Sequence, residues 1–325
     1  MPPPDPSLIP HDMKVELDSF SKDAQAIVDT FLKGLDETPA PPILYHYTSE
    51  AGLKGILDSG KLWLTDIFSL NDPSEMTYGF SRALPILNEF VANLHPAGKK
   101  FTDNITVFAR SGLMRKVAHL FVCSFSSQGD DLGQWRAYAD NAKGYVLAFD
   151  GKLLEDAFLH ENNDSFRLNR STFHIRYEDT KLREVHTEIV KRMAPLILLP
   201  EGRRDLQDGA INAYMQELTV LTLLYLLQVV LSFKHPSYIH EGEFRFLESH
   251  RMDQPPEAKI RIRLGTEVRY REFDWRSTAP EALLEICIGP AGDVEKANLF
   301  VKDILNPTPG LNPRITRSEI PYRAL

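Results

Sequence analysis

Residues 43–66 read ILYHYTSEAGLKGILDSGKLWLTD. Ile43 to Tyr47 is rich in β-branched and aromatic types, which predicts a strand. Thr48 or Ser49 can cap the helix that follows. Leu53, Ile56 and Leu57 recur at helical spacing and give that helix one apolar face. Gly60 suits the left-handed position after a helix, and KLWLTD resumes as a strand. The expected unit is strand–helix–strand.

Outward from this unit, FSLNDPSEM (68–76) is rich in turn-forming residues. Two or three helices are expected over 75–117. HLFVCSFSS (119–127) reads as a buried strand. In DDLGQWRAYADN (130–141), Asp131 and Gln134 stand in capping-box positions. GYVLAFD (144–150) is a strand, and FRLNRSTFHIRYE (166–178) a strand or hairpin. Residues 180–233 are expected to be mostly helical, broken near Pro195 and Pro200. SYIHEGEFRFLES (237–249), 259–274 and 283–288 read as strands, DVEKANLFVKDIL (293–305) as a helix and RITRSEIPYR (314–323) as a last strand. Strands scattered among helices without regular alternation point to an α+β fold with a mostly antiparallel or mixed core. Residues 1–41, Pro-rich with one amphipathic helix, read as a leader. Residues 42–325 read as one domain with a helical insertion at about 180–233.

Composition narrows the classes. The chain has 325 residues, 43% hydrophobic and 25% charged, so it can build a core. A formal net charge of -8 argues against non-specific nucleic-acid binding through a basic surface, while leaving room for a local basic patch. Cys123 and Cys287 are the two cysteines, which excludes a disulfide framework or a Cys-rich zinc site. The start, MPPPDPSLIP, has no basic-then-apolar signal pattern. Leu218 to Leu231 is shorter than the ~20 residues of a membrane span and reads as a core helix. The expectation is a soluble, cytoplasmic protein with no membrane contact. Common phosphate-loop, serine-hydrolase, zinc and calcium motifs are missing, and no metal is expected.

Three features can carry chemistry. His46 shares a strand face with Leu44 and Thr48, and is either a satisfied structural histidine or one that faces a ligand. Trp135 and Tyr138 share a helix face, as core or as a stacking surface for a planar ring. In HEGEFRF, alternation puts Tyr238, His240, Gly242, Phe244 and Phe246 on one side and Glu241, Glu243 and Arg245 on the other. That second side is a solvated charged face, or two carboxylates placed to stabilise a developing cation.

Read as ordered blocks, YHYTSEAGLKGIL…SGKLWLT with FSLNDPSEM, then FVCSFSSQGDDLGQWRAYADNAKGYVLAFD, then KHPSYIHEGEFRFL, CIGP and RSEIPYR, the chain resembles a bacterial family catalogued as domain of unknown function 2971. The blocks span 43–323. Ser124 is a departure, standing where the Phe-Ser pair is expected directly after Cys123. That family is in turn similar to ADP-ribosyltransferases of the His-Tyr-Glu type. The resemblance implies a split antiparallel or mixed sheet core and NAD as substrate. It matches His46 to the first-strand histidine, which would hold NAD, and Tyr138 (with Trp135 next) to the aromatic that stacks on nicotinamide. Glu243 or Glu241 matches the late-strand carboxylate.

Cleavage of the nicotinamide–ribose bond passes through an oxocarbenium-like state, as in glycoside hydrolysis. Glu243 is assigned its stabilisation and Glu241 the orientation or deprotonation of the acceptor. Tyr47, Thr48, Ser126 and Asn71 complete the expected NAD contacts. Arg136 and Arg245 are candidates for the pyrophosphate. Asn71, Asp72 and Glu75 shape a rim or form a tight turn. The expected function is transfer of ADP-ribose to a protein or nucleic-acid acceptor. Alternatives are NAD hydrolysis, a non-catalytic nucleotide or partner-binding module, and 2′-phosphate transfer from RNA to NAD.

Overall fold

In the computed structural model the described residues are 6–36, 39–70, 74–93, 95–110, 118–160, 169–251, 255–263, 265–306 and 310–323. The elements run α1 (His11–Asp36), β1 (Ile43–Thr48), α2 (Glu50–Ser59), β2 (Leu62–Asp66), α3 (Ser74–Leu87), α4 (Pro96–Arg110), β3 (Ala118–Ser126), α5 (Leu132–Tyr138), β4 (Tyr145–Asp150) and α6 (Gly151–His160). There follow β5 (Asn169–His174), α7 (Asp179–Met193), α8 (Asp208–Val230), β6 (Glu243–Arg251), β7 (Lys259–Arg263), β8 (Thr266–Phe273), α9 (Trp275–Thr278), β9 (Leu283–Ile288), α10 (Val294–Leu305) and β10 (Arg314–Arg317). The chain is a mixed α/β protein. Its residues fall into two compact units: Met1–Glu37, Asn71–Ala118 and Arg176–Pro236 in one, and Thr38–Leu70, His119–Ile175 and Ser237–Leu325 in the other.

The first unit is helical. In α1, Met13, Leu17, Phe20, Ala24 and Val28 are buried at helical spacing. The Ser21 hydroxyl meets the Tyr225 hydroxyl of α8 at 2.6 Å, and Phe31 stacks on Phe233 at 5.6 Å. The N-terminal helix, read from sequence as part of a leader, therefore shares a core with α7 and α8. Helix α8 is long and apolar enough to cross a membrane, and 61% of its apolar window is buried within the protein. That is the packing of a core helix.

The second unit carries an open mixed sheet in the order β10–β9–β4–β1–β3–β2–β8–β7, with β6 paired to β3 and β5 paired to β6. β9 and β10 run parallel, while β1–β4, β4–β9, β2–β8, β7–β8 and β5–β6 run antiparallel. The opening unit forms as its sequence signals. Ser49 caps α2 by accepting from the Gly52 amide at 3.2 Å, and Gly60 closes it at φ 70°. Leu44, Leu53, Leu57, Leu62 and Leu64 all enter one buried cluster with Phe121, Phe149 and Phe246.

β1 and β3 share one register pair, Tyr45 with Ser126. Alternation then puts Ser124 and Ser126 on the Tyr45 and Tyr47 side of the sheet, and Phe121, Cys123 and Phe125 in the opposite core. Cys123 and Cys287 are free and buried, and burial pushes the Cys123 thiol up to about 12.

Two expected elements are shorter than their sequence suggests: the last strand stops at Arg317, and the strand expected from Ser237 starts late. Pro236–Glu241 is a 3-10 turn, and β6 begins at Glu243. Gly242 lies between them at φ 50°, a backbone state that interrupts a strand. Tyr238, His240 and Glu241 are therefore off the strand, and the alternation read through them does not hold.

Candidate functional site

The residues singled out in β1, β3, α5 and the Glu241–Arg245 segment meet within the sheet unit. His46 is half-buried, and its Nδ1 lies 3.2 Å from the Ser124 carbonyl. Its ring packs against Phe125 at 5.7 Å. Burial holds its pKa below the usual histidine value, against an opposing contribution from the Ser124 backbone, so the imidazole is neutral at pH 7.

Ser124 is exposed, and its hydroxyl donates to Glu243 Oε1 at 2.6 Å. Arg245 Nε and Nη2 donate to the same oxygen at 2.8 and 2.6 Å. Glu243 is 5% exposed and Arg245 1%, so this is a buried ion pair with an open serine beside it. The charged side of β6 is thus not a solvated face. It also settles the placement of Arg245, which lies against Glu243.

Glu241 is placed by backbone contacts. The Ser126 hydroxyl donates to the Glu241 carbonyl at 2.6 Å, and the Ser127 amide donates to the Gly242 carbonyl at 2.9 Å. A Cβ at Gly242 would stand 2.3 Å from Ser127 Oγ, so only glycine allows this approach. The half-buried Glu241 side chain accepts from the Tyr138 hydroxyl at 2.8 Å, and Tyr138 is 40% exposed.

Tyr138 owes its position to the frame around α5. Asp131 caps the helix by accepting from the Gln134 amide at 2.8 Å. The Tyr47 hydroxyl donates to the Gln128 carbonyl at 2.8 Å and accepts from the Asp131 amide at 3.1 Å. Burial raises the Tyr47 pKa, which keeps that donor protonated. Trp135 is fully buried, edge-on to Tyr47 at 5.1 Å, and its Nε1 donates to Asp130 Oδ1 at 2.6 Å. A sealed ring has no face to stack on a ligand, so of the two aromatics only Tyr138 is accessible. Past Tyr138, Asp140, Asn141 and Ala142 take φ of 48°, 50° and 70° in a left-handed turn that ends α5. Non-glycine residues adopt that state at a cost of about 1–2 kcal/mol each.

Of the other expected contacts, Thr48 is half-buried and pairs in register with Tyr145. Ser126 is buried and occupied by the Glu241 carbonyl and the Gln128 amide. Arg136 is exposed, 6.0 Å from the Tyr322 ring, and is not a partner of Glu241 or Glu243. Asn71 and Asp72 lie outside the described residues, as does the side chain of Glu75. Ser124 is the residue that the sequence reading missed as a participant. Its signal was its unexpected place between Cys123 and Phe125.

Taken as a class, the molecule is a mixed α/β protein with an open sheet, on which an exposed tyrosine and two carboxylates gather, with a neutral histidine bonded to the Ser124 carbonyl from the other side of the sheet. Residues 134–246, roughly a third of the chain, match the family described as Protein of unknown function (DUF2971). The matched span runs from α5 into β6 and contains Tyr138, Glu241, Glu243 and Arg245. No curated protein and no solved structure matches the chain.

Proposed function

We propose that the chain is an NAD-consuming ADP-ribosyltransferase on a sheet core of the ADP-ribosyltransferase kind. The observation that carries this reading is the meeting of Tyr138, Glu241 and Glu243 from two distant segments beside Ser124 and Ser126, with His46 bonded to the Ser124 carbonyl from the other side of the sheet. Tyr138 offers an exposed ring for the leaving nicotinamide. Glu243 supplies a fixed negative charge, held by Arg245 and oriented by Ser124, where the ribose cation develops. Glu241, nearer solvent and bonded to a phenol, receives the acceptor. The neutral His46 ring can accept or donate to a ribose hydroxyl. The acceptor is a macromolecule.

A second reading is favoured by the Arg245–Glu243 pair itself. A carboxylate already matched by a guanidinium offers less field to a cation, which suits a nucleotide-binding module without turnover.

Nicotinamide release from NAD by the purified full chain, with cell extract as a source of acceptors, separates the two. Under the first reading the wild type releases nicotinamide, and Glu243→Gln loses on the order of a hundredfold. Label from NAD then appears on a macromolecule; release without label points to water as acceptor. Under the second reading NAD raises the melting temperature, and no nicotinamide appears from either protein.

A further inference from the structure

At the β7 edge of the sheet lies a second chemistry, separate from the carboxylate cluster. The registers Trp63 with Glu272, Thr65 with Tyr270, Lys259 with Tyr270 and Arg261 with Val268 place Trp63, Thr65, Tyr270, Lys259, Arg261 and Arg263 on one face. Ile260 and Ile262 project from the other.

Strand β7, KIRIR, has three cations and no carboxylate, in a chain of net charge -8. Lys259 has a carboxylate partner, Glu272, which it shares with Lys61 at 2.9 Å each. Among the described residues no carboxylate pairs with Arg261 or Arg263. Arg263 Nη2 donates to the Ser69 carbonyl at 2.7 Å. Arg261 Nη2 reaches Thr65 Oγ1 at 3.4 Å, while its Nε is buried without an acceptor. Burial first, and then the Arg263 charge, lower the Arg261 pKa. Two guanidiniums side by side, one with an unused buried donor, form a site that an anion would complete.

The aromatic groups define the rest of the ligand. The Arg261 guanidinium lies 4.9 Å from the Trp63 ring centre, and Trp63 tilts on Tyr270 at 4.3 Å. Trp63 is nevertheless 39% exposed, on the same face as the guanidiniums. Cationic guanidiniums beside a partly exposed planar ring match a phosphate next to a base. The base must be free of a duplex to reach the ring. An acidic peptide would satisfy the arginines and leave the tryptophan unused.

We propose that the Trp63–Arg261–Arg263 face binds single-stranded nucleic acid, with phosphate on the two arginines and a base on Trp63. This stands apart from the NAD reading, because binding is measured with NAD absent.

The test is fluorescence anisotropy of a short labelled single-stranded RNA, titrated with the full chain over a range of salt. The result expected is binding that weakens with salt. Arg261→Gln with Arg263→Gln should lower the log–log salt slope by about 1.4, at about 0.7 for each phosphate contact. Trp63→Ala should weaken affinity about tenfold with little change of slope, and Trp63→Phe should recover most of it. Ile262→Gln, on the opposite face, should leave binding unchanged. Circular dichroism establishes that each variant is folded. Lack of binding at low salt overturns the proposal, as does binding that the arginine and tryptophan variants leave intact. Polyglutamate or duplex binding as tightly as the single strand also overturns it. None of these outcomes bears on nicotinamide release.

Discussion

Strand β6 carries two buried carboxylates on opposite faces, and they are held in different ways. Glu248 is fully buried. It accepts from Arg170 Nε and Nη2 at 3.3 and 3.2 Å, from His250 at 2.7 Å, and pairs with Arg271. Burial alone would raise its pKa, but the His250 hydrogen bond and the Arg271 and Arg170 charges hold it below the usual glutamate value. Glu243 is 5% exposed, with Arg245 on one side and the exposed Ser124 on the other. A sealed carboxylate ringed by cations ties strands together. A carboxylate with one hydroxyl neighbour open to solvent can exchange that neighbour for a ligand hydroxyl. Burial and charge alone do not separate the two; the side from which water arrives does.

Glu248→Ala sharpens the contrast most. It strands Arg170 in the interior and removes the ion-pair partner of the partly exposed Arg271, and about 4 kcal/mol of stability should be lost in urea unfolding. Glu243→Gln should cost less, about 2 kcal/mol, because the amide oxygen left at that position can still accept from Arg245 and Ser124. Adding Arg245→Met to Glu243→Gln should return most of that stability, since an apolar replacement of a buried pair is near neutral. Nicotinamide release should stay lost in the double variant. Recovery of release with stability would break the contrast and make Glu243 a second structural carboxylate.

His186, in α7, provides a third buried titratable group for comparison. Burial holds its imidazole down to about 3, against an opposing contribution from the Leu226 backbone. A depressed histidine pKa means that the unfolded chain binds a proton that the folded chain refuses. Stability is therefore full above about 6.5 and falls as pH drops from there towards 3, by up to about 1.4 kcal/mol per pH unit. Glu248 acts in a lower window: its contribution is present above the usual glutamate value of 4.5 and fades as pH falls through its lowered folded value. Unfolding midpoints at stepped pH should show the first loss near neutrality, and His186→Leu should remove the largest part of it, leaving the smaller share of His46 and His119, whose values burial also lowers. The smallest effect belongs to Tyr138→Phe. Tyr138 is 40% exposed, so the melting temperature should hardly move. Tyr138→Ala should lower nicotinamide release much more than Tyr138→Phe, because the ring is the part that stacks.

Much of the local structure was legible from residue order. The Ser49 cap, the Gly60 stop and the Asp131 cap are one-turn interactions, complete within four residues. Leu44, His46 and Thr48 share a strand face because the period of two needs no partner to define it. The same rule failed at Glu241, where a carbonyl bonded to Ser126 and a left-handed Gly242 end the alternation. Those bonds join residues more than a hundred positions apart, and no local pattern announces them. Helical spacing also could not rank Trp135 against Tyr138. Three residues apart, they share a face at the level of the helix, yet Asp130 and Tyr47 seal one ring and the other stays 40% exposed at the helix end.

The amino-acid sequence by itself determined which segments become strands and helices, where they are capped, and that one histidine, two aromatics and two carboxylates would stand near strand and helix ends. Caps, turns and side-chain periodicity act over a few residues, so they are written in adjacent positions. Only the tertiary structure decided that α1 joins the core of α7 and α8, and that Glu243 faces Arg245 and Ser124. It also left Arg261 and Arg263 without a carboxylate partner among the described residues, beside an exposed Trp63. Burial and charge pairing depend on which distant strands become neighbours, and that is set by the packing of the whole sheet.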